Sequence, residues 1–167
     1  MRRARLAVLP LLLLAALPAL AKAPSWDRRI DSPKRFKVLK AFDSEAILDQ
    51  ETGLVWARDV SFPSVPWSLA IAACANDLNG GRFGWRLPTV SEFRSLIDPE
   101  SRSLPAGNPF AVPDGYYWTS TTTANSATSA FIGDLGTPNG SVASGAKGDS
   151  HDAWCVRGGL GATIDGF

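Results

Sequence analysis

Few residues in this chain could do covalent or metal chemistry, and their spacing limits what that chemistry is. There are two cysteines and one histidine in 167 residues. His151 lies in the run Asp149-Ser150-His151-Asp152. A Ser-His-Asp triad needs its nucleophile held by a distant segment, and no Gly-x-Ser-x-Gly elbow is present. The run reads as a histidine in a polar surface turn. Cys74 and Cys155 with a single histidine fall short of the four ligands of a zinc site. No catalytic residue, resident metal or cofactor is therefore expected. Oxygen donors gather in one stretch, where Asp98, Glu100, Asn108 and Asp114 fall within a Pro-containing segment running to Gly115. Such donors suit Ca²⁺, but a hydrophilic loop is the preferred reading, and no metal is expected there. Tyr116 and Tyr117 follow at once and could edge a surface for sugar rings, whereas Trp118 reads as core.

Charge narrows the partners. Lys and Arg number 17 against 16 Asp and Glu, which excludes a strongly basic nucleic-acid binder. A modest basic run, Arg28, Arg29, Lys34, Arg35, Lys37 and Lys40, could attract a sulfated polysaccharide or an anionic envelope, but such a run is more often a solvated face. Gly159-Leu160-Gly161 lacks the further glycine and preceding strand of a phosphate loop.

The start of the chain speaks to location. Basic Met1–Arg5 precedes an apolar stretch from Leu6 to Leu20, shorter than the roughly 20 residues of a spanning helix. Ala19-Leu20-Ala21 is a small-x-small cleavage site, so residues 1–21 read as a secretory signal peptide. Its removal leaves 14 basic and 16 acidic side chains and no membrane span in the mature protein. The expected location is exported, periplasmic or secreted. Residues 22–35 read as a flexible leader and 160–167 as a tail, with one domain over 36–159. Two cysteines in an exported chain make a bridge the leading reading, with two buried free thiols as the alternative.

The elements that must position these residues follow from pattern. Ala46–Asp49 and Leu54–Arg58 flank a turn in which Gly53 can supply positive φ, which predicts a hairpin. Pro66 opens a helix whose apolar stripe is Trp67, Ala70, Ile71, Cys74 and Leu78. Trp85-Arg86-Leu87 predicts a short strand with Trp85 and Leu87 inward and Arg86 paired to Glu92 or Asp98. Thr89-Val90-Ser91-Glu92 is a capping box opening a second helix. Strand-like runs follow at 116–121, 129–135, 140–144 and 153–157. The class is α+β, with two helices followed by a small antiparallel sheet.

Taken together, these residues resemble a known family. The segments are Asp49-x-x-Thr52-Gly53-Leu54-x-Trp56, Gly84-Trp85-Arg86-Leu87-Pro88-Thr89, Asn108-Pro109-Phe110, Tyr117-Trp118-Thr119-Ser120 and Trp154-Cys155-Val156-Arg157. They are similar to the Lcl C-terminal domain family of bacterial proteins. The resemblance implies a C-type lectin-like fold, also similar to formylglycine-generating enzymes, and agrees with a Cys74–Cys155 disulfide from the first helix to the last strand. It assigns Thr52, Gly53, Trp56, Gly84, Trp85, Arg86, Leu87, Pro88, Thr89, Trp118 and Arg157 mainly structural roles. A collagen-like adhesin of that family is reported to bind sulfated glycosaminoglycans. The expected function is a non-enzymatic, adhesin-like binding module for a glycan or envelope polymer, with Asp98, Glu100, Asn108, Asp114, Tyr116 and Tyr117 as ligand-binding candidates. The alternative is a structural or protein-interaction domain of the envelope. An oxidase of the formylglycine-generating type ranks last, because Cys74 on a core stripe does not suit a reactive thiol.

Overall fold

A computed structural model describes Ile30, residues 34–136 and residues 142–158. The signal-peptide and tail expectations lie outside the described residues, as does most of the leader. Among the described residues nine strands form two sheets, accompanied by two α-helices. The first sheet has the order β1-β2-β3-β9, from β1 (Phe36–Val38), β2 (Ala46–Asp49), β3 (Val55–Ala57) and β9 (Val156–Arg157), all antiparallel. The second has the order β4-β8-β5-β6-β7, from β4 (Phe62–Pro66), β8 (Ser150–Ala153), β5 (Gly115–Thr123), β6 (Ser126–Leu135) and β7 (Val142–Ala146). Here the expected single antiparallel sheet is corrected twice. There are two sheets, and the β5–β8 pairing in the second is parallel.

The hairpin between β2 and β3 forms as its turn residues require. Gly53 takes φ 74°, and its N–H donates to the Asp49 carbonyl. The strand β4, Phe-Pro-Ser-Val-Pro, carries no alternation that marks it as a strand. It forms at the edge of its sheet, where prolines cost no ladder bond, with an irregular register around Ser64 at φ 51°. The expected strand at residues 85–87 is reduced to one bridge, in which Arg86 and Val156 exchange both backbone hydrogen bonds at 2.8 Å.

Helix α1 (Trp67–Ala75) ends before Leu78, which is exposed and not part of the buried stripe. The Asn76 side chain donates to the Ala72 carbonyl, and the Asp77 carboxylate accepts the Asn79 N–H. These side chains satisfy the backbone locally and stop the helix. Helix α2 (Val90–Leu96) starts at the predicted capping box: Thr89 Oγ1 accepts from the Glu92 N–H and Glu92 accepts from the Thr89 N–H.

The expected strand over 153–157 breaks in two. Residues 150–153 belong to the second sheet and 156–157 to the first, so Trp154-Cys155 carries the chain between them. Both residues are fully buried. The Trp154 ring lies 4.9 Å from Trp56, 5.0 Å from Phe110 and 5.8 Å from Tyr117, and its Nε1 donates to the Ala57 carbonyl. Cys155 is bonded to Cys74 on α1 across 81 positions. Closing a loop of that length is worth about 4.5 kcal/mol on the chain-entropy argument.

Candidate functional site

Two arginines hold α2 from its two ends. Arg86 Nη1 and Nη2 donate to both carboxylate oxygens of Glu92, at 2.8 and 2.6 Å, and Nη2 also donates to the Gly158 carbonyl. Of the two partners expected for Arg86, the fold selects Glu92. Burial alone would raise the Glu92 pKa, but Arg86 and the Thr89 N–H together hold it below the usual range. At the other end, Arg35 Nη2 donates to the Ser95 carbonyl, one of the acceptors that a helix terminus leaves open. Arg35 is buried and also grips Asp49 through Nε and Nη2 and Glu51 through Nη1. It therefore belongs to the folded domain rather than to the leader, and it is removed from the basic run. Lys34, Lys37 and Lys40 stay exposed, while Arg28 and Arg29 lie outside the described residues.

The other motif residues lie as follows. Thr52 Oγ1 donates to Asp49, and Trp56, Trp85, Leu87, Pro88 and Trp118 are buried. Gly84 takes φ 89°. The Pro88 carbonyl accepts the Ser120 N–H, fastening the start of α2 to β5.

The segment from Asp98 to Gly115 spends its polar groups on itself. Asp98 Oδ1 accepts the N–H groups of Glu100 and Ser101, both at 2.9 Å. Asn108 Oδ1 accepts the Phe110 N–H, and its Nδ2 donates to the Pro105 carbonyl. This staple delivers Phe110 to Trp154 and to Phe36, 5.1 Å away. Glu100 is exposed at the turn. Among the described residues no group of three or more His, Cys, Asp or Glu side chains is placed to hold a metal ion.

Tyr117 does not edge a surface. It faces inward, stacks on Phe93 at 6.3 Å and donates its hydroxyl to the Pro113 carbonyl. Strand alternation explains the correction: Tyr117 and Tyr116 point to opposite faces, so only one of them could be outward. The phenol pKa is pushed up by burial and then by Asp152 and Asp114.

Tyr116 is the outward one, 45 % exposed. Its ring lies 5.7 Å from that of His151, which lies 4.6 Å from that of Trp118. His151 is thus not in a polar turn but in β8, half-buried and sandwiched at the sheet. Gly145 on β7 makes room for it, since a Cβ there would sit 2.9 Å from the imidazole Nε2. Burial lowers the His151 pKa, and Asp149 and Asp152 partly oppose that shift. The Asp152 carboxylate accepts the Ser64 N–H at 2.9 Å, and Asp114 is exposed just before Gly115. The result is a strip of Tyr116 and His151, while Asp152, the register partner of Tyr117, falls on the opposite face. The strip offers one aromatic plate at a sheet surface. His151 was missed as a site residue because the parallel pairing that seats it beside Tyr116 leaves no local pattern.

These features define a disulfide-closed α+β domain with an aromatic strip on one sheet. Residues 45–157 match the Lcl C-terminal domain, and the chain belongs to that family. No curated protein matches this chain.

Proposed function

We propose that this protein is an exported, non-enzymatic binding module of lectin-like fold that recognises a glycan or related envelope polymer. The observation that carries the reading is Tyr116, a large ring exposed at 45 % yet fixed from behind by His151. A rigid aromatic face with an amphipathic rim loses little entropy on binding. The exposed Asp114, two positions before Tyr116 in the chain, supplies an acceptor for hydroxyl groups. The sugar-binding candidates of the loop reduce to its end, Asp114 and Tyr116, since Asp98 and Asn108 serve the loop itself. Both cysteines lie in one disulfide, which counts against oxidase chemistry.

The test is binding of the purified, oxidised protein to a glycan panel that includes neutral and sulfated polymers, with calcium and with chelator. The proposal expects saturable binding that Y116A abolishes while the melting temperature is kept. Absence of binding to every glycan under both conditions would contradict it and favour an envelope protein partner.

A further inference from the structure

Four arginines of this domain differ in how their charge is met. Arg35 and Arg86 are met by carboxylates at hydrogen-bond distance. Arg82 and Arg157 are not. Arg157 Cζ lies 5.4 Å from the Phe42 ring centroid and Arg82 Cζ lies 5.7 Å from the same centroid. Among the described residues, neither guanidinium has a carboxylate at ion-pair distance. The two cations come from different elements, β9 and the turn after residues 79–81, and share one buried ring as their floor. Arg157 is partly desolvated and Arg82 adds repulsion, and both effects lower its pKa. Cation–π contact with Phe42 offsets only part of that cost. Arg82 and Arg157 thus bring two like charges to one ring, and among the described residues no carboxylate pairs with either of them. Phe83, next in sequence to Arg82, is 73 % exposed.

We propose that Arg82 and Arg157 form a binding site for a phosphomonoester group, separate from the Tyr116 strip. Guanidinium groups match phosphate oxygens with paired N–H donors. Charge selects among oxyanions. A phosphomonoester carries close to two negative charges at neutral pH and meets both arginines, whereas a sulfate ester or a carboxylate carries one. Phe83 suits the carbon portion of the esterified ligand.

The test is a titration of the purified protein with phenyl phosphate at fixed ionic strength and pH 7.5, read by the arginine side-chain N–H resonances in a ¹⁵N spectrum. The expected result is that the Arg82 and Arg157 signals move together with one dissociation constant. R82Q and R157Q should each weaken binding about tenfold, the loss expected of one charge-assisted contact. R94Q, an exposed arginine elsewhere, should leave binding unchanged. Phenyl sulfate should bind several-fold more weakly. Binding of phenyl phosphate should fall from pH 7.5 to 5.5 as the phosphate takes up its second proton near pH 6. Equal binding of phenyl sulfate would overturn the phosphomonoester assignment. Failure of either arginine signal to move, or an equal loss in R94Q, would overturn the site. R82Q decides the matter if R157Q fails to fold, because Arg82 is exposed.

Discussion

The junction at Trp154-Cys155 and the strip at Tyr116-His151 are both aromatic, and both touch β8, but they are built in opposite ways. At the junction most side-chain polar groups are spent internally, the buried Trp56 Nε1 being left without a partner. Trp154 Nε1 has its carbonyl, Cys155 has its disulfide, and the neighbouring Arg86 and Arg35 have their carboxylates. At the strip a ring is presented to solvent and fixed from behind. The difference separates residues that make the domain from residues left free to meet something else.

Changes at the junction should unfold the protein, and the largest loss is expected there. W154A removes a ring that packs on Trp56, Phe110, Tyr117 and Phe93. Its cost is about 3–5 kcal/mol. C74A/C155A should cost up to about 4.5 kcal/mol. Chemical denaturation measures both, and a loss under 1 kcal/mol for either would break the contrast.

D49A comes next. It leaves the buried Arg35 with Glu51 as its one carboxylate and frees Thr52. A loss of about 3 kcal/mol is expected, since a buried charge loses its best partner.

Acid sharpens the comparison further, because the two regions respond in different windows. The Glu92 pKa is lowered in the fold, so the Arg86 pair contributes above pH 4.5 and is lost as pH falls through the folded value. The His151 pKa is also lowered. For histidine this means that the unfolded chain takes the proton more readily, so stability is present above about pH 6.5 and declines as pH falls below it. His151 is the chain's one histidine, which isolates that window. The melting temperature should decline from pH 7 to 5.5, and less steeply in H151Q. An identical decline in both proteins would remove His151 from the account.

The same contrast explains what could be read from the sequence. Local rules carried the hairpin at Gly53, the capping box at Thr89, and the inward Trp85 and Leu87, because each depends on neighbours within a few residues. The disulfide followed from export context and cysteine number. The two-sheet architecture did not follow, because the break at Trp154-Cys155 is set by packing of a ring against distant Trp56 and Phe110. Strand β4 was hidden by its prolines, which an edge position tolerates. The site was half legible: Tyr116 was named, but its partner His151 arrives through a parallel pairing that joins residues 117 and 152. Asp98 and Asn108 carried ligand-type atoms, and only the fold reveals that those atoms fasten their own loop.

The smallest effect on stability is expected at the strip. Y116A should change stability by less than about 0.5 kcal/mol, as surface substitutions usually do. The most direct measurement is therefore paired: glycan-panel binding and thermal melting of the wild type and Y116A. The account predicts glycan binding by the wild type and none by Y116A, with superimposable melting curves. Undiminished binding by Y116A, or loss of binding that tracks loss of fold, would contradict it.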